Sequence, residues 1–399
     1  MKTLLVLSLL FGLMATACAP APEESSEESS TESLADRLLI VDTHIDLPYR
    51  LESDWEDISQ RSERGDFDYP RAREGGLNLP FMSIYIPADL QGTGEERPFA
   101  DRTIDMVEEL ATAHPDKFRL VYSTADAEGL VGDERIGLAL GMENGAPIDD
   151  LDALQHYYDR GIRYITLTHS ENNLICDSSY ADDRKWDGLS DYGKEVIAEM
   201  NRLGIMIDVS HVSDAAFEQI LDLTTVPVIA SHSSLRHFTP NWERNLSDEM
   251  VKRIGENGGV VQINFGSSFI RGDSQQQGSQ FWQAMGAYAK ENNLKPGDEA
   301  LQAWQEAYWS DREKIYADLS DVVDHIDRVV DLAGIDHVGI GSDYDGVGDS
   351  LPTGLKDVSA YPNLLNALAQ RGYTEEEIAK IAGGNLMRVW RDVEAAAAH

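Results

Sequence analysis

The sequence predicts an α/β protein of the (β/α)8 TIM-barrel class, of the metal-dependent hydrolase type. Three observations carry that expectation. Apolar runs of strand length alternate along the chain with longer amphipathic stretches. Each run is apolar on both of its faces, as a strand covered on both sides must be. Residue types that bind metal stand at the ends of most of these runs.

Eight runs follow one another: LLIVDTH (38–44), FMSIYIP (81–87), IGLALGME (136–143), YITLTH (164–169), IMIDVSH (205–211), VPVIASH (226–232), VVQINF (260–265) and HVGIGSD (337–343). A further run, FRLVYS (118–123), reads as a minor strand or an approach to the third. Helical patterns lie between them, such as DRTIDMVEELATAH (101–114), DYGKEVIAEMNRLG (191–204) and DEMVKRIGENG (248–258). Such alternation implies parallel βα units. Eight of them imply a barrel, with a doubly wound open sheet as the alternative. A long insertion, 266–315, follows strand 7 at the end where a barrel places its site. It carries Trp282, Tyr288, Trp304, Tyr308 and Trp309. Those rings suit a substrate-facing lid or the core of two added helices equally.

Ahead of the barrel, residues 1–17 read as a signal peptide. Met1-Lys2 is followed by an apolar stretch, Leu4 to Ala17, too short to span a bilayer. Ala15-Thr16-Ala17-Cys18 resembles a bacterial lipobox, with Ala15 where Leu is usual, so Cys18 is expected to carry lipid. A plain signal peptide with an incidental cysteine is the alternative. Ala19 after the cysteine points to the outer membrane in a Gram-negative cell. The rest of residues 18–33, with APAPEESSEESSTES, has too little apolar surface to fold and reads as an acidic tether. Residues 34–399 form the one folded domain. Cys176 is the only other cysteine, so with Cys18 lipidated it has no partner and reads as a packed small residue. The formal charge of −38 argues against nucleic acid and against electrostatic docking on anionic lipid.

His44 and Asp46 follow the first run. Glu143 ends the third, His169 the fourth, His211 the fifth, His232 the sixth and Asp343 the eighth. Strand C-termini in a barrel face one bowl, so these side chains are expected to meet. Imidazole and carboxylate without thiolate suit zinc and similar divalent ions. The i, i+2 spacing puts His44 and Asp46 on one side of an extended segment. His211 and His232, from adjacent strands, can reach a second ion, and Glu143 lies between with two oxygens to share. Two such ions would hold a bridging hydroxide and polarise a carbonyl. Asp343 is left for proton transfer and His169 for an oxyanion. His114, His156 and His325 fall in helical text and are expected on the surface.

These residues resemble the membrane dipeptidase (renal dipeptidase) family of metallopeptidases over nearly all of residues 38–395. The resemblance rests on DTHIDLP (42–48), GGLNLPFMSIYIP (75–87), ALGMENG (139–145), YITLTHSENN (164–173), GLSDYGKEVIAEMNRLGIMIDVSH (188–211), VIASHSS (228–234), HVGIGSDYDG (337–346) and GGNLMRVW (383–390). It implies a binuclear zinc barrel that cleaves dipeptides, tolerates a D-residue on the C-terminal side, and often dimerises. His44, Asp46 and Glu143 match the ligands of one ion; Glu143, His211 and His232 match those of the other. His169 matches the histidine at the scissile group and Asp343 the catalytic aspartate. Arg244, in WERNLSDE, matches the arginine that takes the substrate's carboxylate. The chain departs from the family at Asn144, where Gly often follows the metal Glu, at Phe81-Met82, where Phe-Trp is frequent, and at Tyr49, where Trp is frequent. Two other functions compete. One is an amidohydrolase acting on a lactam, lactone or N-acyl amino acid, disfavoured because the first strand carries HxD and not HxH. The other is a non-catalytic, lipid-anchored dipeptide-binding protein, disfavoured because every ligand type and Asp343 are retained.

Overall fold

A computed structural model describes Met1, Ser33–Lys295 and Asp298–Ala397. The leader, Cys18 and most of the tether lie outside the described residues. Nine strands form one parallel sheet: β1 (Ile40–Ile45), β2 (Leu77–Tyr85), β3 (Phe118–Leu120), β4 (Ile136–Glu143), β5 (Ile162–Thr166), β6 (Met206–Asp208), β7 (Ile229–Ala230), β8 (Val260–Ile263) and β9 (Val338–Ile340). Eight run in the order β1-β2-β4-β5-β6-β7-β8-β9, while β3 pairs only with β4, as a minor strand. The first and last of the eight nearly close the ring. Ile45 bridges Tyr344, Asp46 N–H donates to the Tyr344 carbonyl at 2.9 Å, and Asp343 N–H donates to the His44 carbonyl at 3.0 Å. The open-sheet alternative therefore falls, because an open sheet has no bond between its outer strands.

All residues of these strands are buried except Tyr85 at the end of β2 and Arg119 and Leu120 in β3. Inside the ring, Val41, Leu79, Phe81, Ala139, Tyr164, Met206, Ile229 and Val260 pack together. That cluster continues into the C-terminal helix Asn385–Ala396 through Leu386, Val389 and Trp390, whose ring lies 5.3 Å from Phe81. The barrel is thus filled from below and can bind ligands only at its upper rim. Register brings the rim level: Tyr85 pairs with Glu143, Glu143 with Thr166, and Thr166 with Asp208. The helices beginning at Asp191, Asp214 and Asp248 start on Ser190, Ser213 and Ser247, whose hydroxyls each accept a first-turn N–H. Such caps contribute about 1 kcal/mol apiece and hold the rim loops to fixed lengths.

Between β8 and the helix Leu319–Ala333 lie the helices Ser267–Ile270, Gly272–Asn292 and Glu299–Ser310. Their aromatic residues pack largely on one another: Phe281 lies 5.3 Å from Trp282, Tyr308 and Trp309, and Tyr288 stacks 5.3 Å from Trp304. This supports the helix-pair reading for the rings around Phe281, but not for Trp282, which is 63% exposed. Among the described residues no helix is long and apolar enough to cross a membrane.

His325 corrects an expectation. It is fully buried, not on the surface. It shares the apolar stripe of its helix with Val322, Ile326 and Val329, all buried, at helical spacing. Its Nδ1 accepts the N–H of Leu235, and its Nε2–H donates to the Ile270 carbonyl, tying the loop after β7 to the loop after β8. Burial pushes its pKa down to about 4 from 6.5. The unfolded chain therefore binds more protons between these values, and stability is lost as pH falls from about 6.5 towards 4. By pH 5 the loss is expected to reach about 2 kcal/mol. Denaturant unfolding of wild type and His325→Asn at pH 7 and pH 5 reads it: the stability gap between the two proteins should narrow by that amount. An unchanged gap would refute the assignment.

Candidate metal centre

The rim gathers every ligand-type residue that the sequence singles out. His44 belongs to β1 and Asp46 follows it. Glu143 is the last residue of β4, and His169, His211, His232 and Asp343 lie two or three residues beyond β5, β6, β7 and β9. Three of the turns that present this set are left-handed. His211 (φ 69°), Asp343 (φ 64°) and Asn144 (φ 76°) adopt left-handed backbone, which Asp and Asn tolerate but which costs about 1–3 kcal/mol at His211.

Glu143 is the centre of the group. Its Oε2 lies 3.4 Å from His44 Nε2, while its Oε1 lies 3.1 Å from His211 Nε2, 3.2 Å from His232 Nε2 and 3.7 Å from His169 Nε2. The two oxygens therefore face two donor sets. Asp46 Oδ2 adds a ligand atom 3.4 Å from His44 Nε2. Donor atoms of His44, Glu143 and His232, of Glu143, His169 and His211, and of His44, Asp46 and Asp343 come within 4.8 Å of one another. These clusters do not fall into the two ligand sets expected from the sequence, but two of the three share Glu143, which suggests a binuclear metal centre.

The side chains fit cations and little else. His211 Nε2 and His232 Nε2 stand 2.9 Å apart, within hydrogen-bond distance, where only one of the two can carry the proton. His44 Nε2 and Asp46 Oδ1 are buried without any hydrogen-bond partner. The charges give the same answer. Burial opposes a proton on His44, yet Tyr164, Asp46 and Glu143 around it raise its pKa well above the usual value. Burial also opposes ionisation of Glu143, but His44 and His169, with the imidazoles of His211 and His232 close against it, hold its carboxyl well below the usual range. Burial and the neighbouring Asp46 push Asp343 well above it. Three carboxylates share a buried bowl that has too little positive charge of its own.

Several residues that complete this site escaped sequence reasoning. Asn264 stands just past β8, at the end of the seventh run, and its Nδ2–H donates to Asp343 Oδ2 at 2.7 Å. An amide in the place where other runs end on a ligand was a readable signal. Gly346 has room for no side chain: a Cβ there would sit 2.1 Å from Asp46 Oδ2 and 2.2 Å from Asp343 Oδ1. Asn144, the departure noted after the metal Glu, holds the left-handed turn that Asn tolerates. Its side chain donates to the Ile86 carbonyl and Gln91 Oε1, and accepts from Asn173, so three rim loops meet on it. Arg244 is 2% exposed. Its Nη1 donates to Ser233 Oγ at 2.8 Å and its Nη2 to the His232 carbonyl at 2.9 Å, with Nη2 also 3.0 Å from His211 Nε2. Cys176 is fully buried and burial pushes its thiol pKa up, which fits a packed side chain.

Comparison with known proteins identifies the family. A model of the family "Membrane dipeptidase (Peptidase family M19)" matches residues 28–399. An uncharacterised dipeptidase of Schizosaccharomyces pombe is 35% identical over 378 residues, 89% of this chain and 80% of the relative. Dipeptidase 3 of Mus musculus is 32% identical over 370 residues, with 89% of this chain but 64% of the mouse protein covered. Among solved structures, the probable dipeptidase PvdM from Pseudomonas aeruginosa superposes with a TM-score of 0.78 at 28% identity, covering 91% of this chain and 97% of that one. A metallopeptidase from Rhodobacter sphaeroides, liganded with a phosphinate mimic of the dipeptide L-Ala-D-Ala, gives 0.72 at 25% identity, covering 90% and 99%. The chain is a metallopeptidase and belongs to the membrane dipeptidase family, peptidase family M19.

Proposed function

We propose that this metal-dependent dipeptidase works with two zinc ions that share Glu143, and that its substrates include dipeptides with a C-terminal D-residue. The observation that carries the reading is the split of Glu143, with one oxygen towards His44 and the other towards His211 and His232. The dipeptide mimic held by the Rhodobacter relative supports the D-residue. His44, Asp46 and Glu143 would hold one ion, and Glu143, His211 and His232 the other. What the bound pair supplies is a water acidified towards neutral pH and an electrophile for the scissile carbonyl oxygen.

The chain's own groups do the rest. Asn264 occupies Asp343 Oδ2, which leaves Oδ1 to take the proton of the attacking water and pass it to the leaving amine. His169, whose pKa burial lowers, stays a neutral imidazole and offers an N–H to charge developing on the carbonyl oxygen. When His211 Nε2 serves as a ligand it no longer accepts from Arg244, whose Nη2–H is then free for the substrate's carboxylate. Capture of that carboxylate limits substrates to short peptides. A lipidated Cys18 behind a cleaved leader would put the activity on the outer face of a membrane; a mature protein with unmodified Cys18 would remove the anchor.

A library of dipeptides with L and D residues at both positions, run beside C-terminally amidated dipeptides and N-acyl amino acids on zinc-loaded protein, tests the proposal. Free dipeptides should be preferred over their amides by about 10²-fold in kcat/KM, the worth of a charge-assisted pair. Arg244→Met should erase that preference. Faster turnover of N-acyl amino acids, or of amides, would overturn it.

A further inference from the structure

Each imidazole in the rim can present a metal-binding lone pair from Nε2 only if its proton sits on Nδ1, so something must fix the tautomer. For His232 the partner is Ser231 Oγ, 2.7 Å from Nδ1. Ser231 Oγ also lies 2.6 Å from Asp208 Oδ2. Asp208 is fully buried, and its other oxygen already accepts two backbone N–H groups, from Ser210 at 3.0 Å and Ser231 at 2.8 Å. Thr166 Oγ1 donates to Oδ2 as well. An ionised carboxylate only accepts, so the Ser231 proton is committed to Asp208. Ser231 Oγ must then accept from His232 Nδ1–H, which leaves His232 Nε2 as a bare lone pair aimed at Glu143 and His211.

His44 has a separate device. Tyr164 reaches across the barrel interior, where Gly141 leaves space; a Cβ at Gly141 would lie 2.0 Å from its ring. Its hydroxyl is 2.9 Å from the Thr43 carbonyl and 2.9 Å from His44 Nδ1. A carbonyl cannot donate, so the hydroxyl proton goes to Thr43 and the hydroxyl oxygen accepts from His44 Nδ1–H. His44 Nε2 is left unpartnered, facing Asp46 and Glu143.

We propose that Asp208 and Tyr164 are positioning residues that set the imidazole tautomers of the centre, each for one ion: Asp208, through Ser231, for the ion on His232, and Tyr164 for the ion on His44. The inference rests on the two-ion reading above. It makes an unusual demand of Asp208→Asn. The two backbone N–H groups hold the amide oxygen, so the amide nitrogen must face Ser231 Oγ and Thr166 Oγ1 and donate to them. Ser231 then turns its own proton to His232 Nδ1, and the proton on Nε2 blocks the metal. Ser231→Ala merely removes the acceptor and leaves the tautomer free. The double variant Asp208→Asn/Ser231→Ala cannot transmit the reversed proton.

The test is metal content by elemental analysis, and zinc affinity by competition with a chelator, on the purified chain. Wild type should hold two ions. Asp208→Asn should keep one and lose affinity for the other by 10–100-fold or more. Ser231→Ala should lose less, and the double variant should bind better than Asp208→Asn alone, a recovery that a purely structural role would not produce. Tyr164→Phe should lose the other ion while keeping the His211–His232 one, and it carries the test if Asp208→Asn does not fold. Two ions at wild-type affinity in Asp208→Asn or in Tyr164→Phe, or a double variant no better than Asp208→Asn, would overturn the proposal. Fewer than two ions in wild type would overturn the two-ion reading itself.

Discussion

Glu143→Ala is expected to release both metal ions and to lower turnover by at least about 10³-fold, because Lewis-acid stabilisation of the transition state is worth several kcal/mol. The double loss is the distinctive part. His211 or His232 each reach only one oxygen of Glu143, on one side of the bowl, whereas Glu143 faces both sides. Removing it also leaves three buried imidazoles and the partly buried His169 around a cavity with no central anion. The variant should therefore bind poorly at both positions, and added zinc should restore little. Metal content of the purified variant and its kcat at saturating zinc measure this. One ion held at wild-type affinity would show that Glu143 serves a single ion, and the binuclear arrangement would have to be redrawn around His44, Asp46 and Asp343.

The strand-end ligands were legible in the sequence because a parallel barrel turns chain position into spatial position. A run that is apolar on both faces must be a covered strand, and whatever ends it must face the rim. His44, Glu143, His211 and His232 needed no knowledge of packing to be brought together. Arg244 was legible only through family resemblance, since it lies in a loop whose path no periodicity describes. Other features depend on contacts between distant segments. Nothing in YITLTH says that Tyr164 crosses the barrel to His44, because that contact depends on Gly141 in another strand. Nothing in GMENG says that Asn144 gathers three loops. His325 was misplaced for a different reason. Its helix does show an apolar stripe through Val322, Ile326 and Val329, and His325 lies on it, so the error came from weighing residue type over spacing.

Asp343→Asn is expected to retain both ions and to lower kcat by about 10²–10⁴-fold, the range for loss of a general acid–base. Asparagine is the informative replacement. Asp343 sits at φ 64°, which Asn tolerates and Ala does not, so Asp343→Ala adds about 1 kcal/mol of backbone strain to whatever chemistry is lost. The amide can keep its oxygen on Asn264 Nδ2, at the place where Asp343 Oδ2 accepts at 2.7 Å. Its nitrogen then takes the position of Oδ1, where it cannot accept a proton from the attacking water. Substrate binding should change little, because Arg244 and His169 are untouched, so the loss should appear in kcat with KM nearly constant. Two outcomes would each say something definite. Wild-type turnover would end the role of Asp343 in proton transfer. Loss of an ion along with turnover would make Asp343 a ligand, as its closeness to His44 and Asp46 allows, and the proton would then need another carrier.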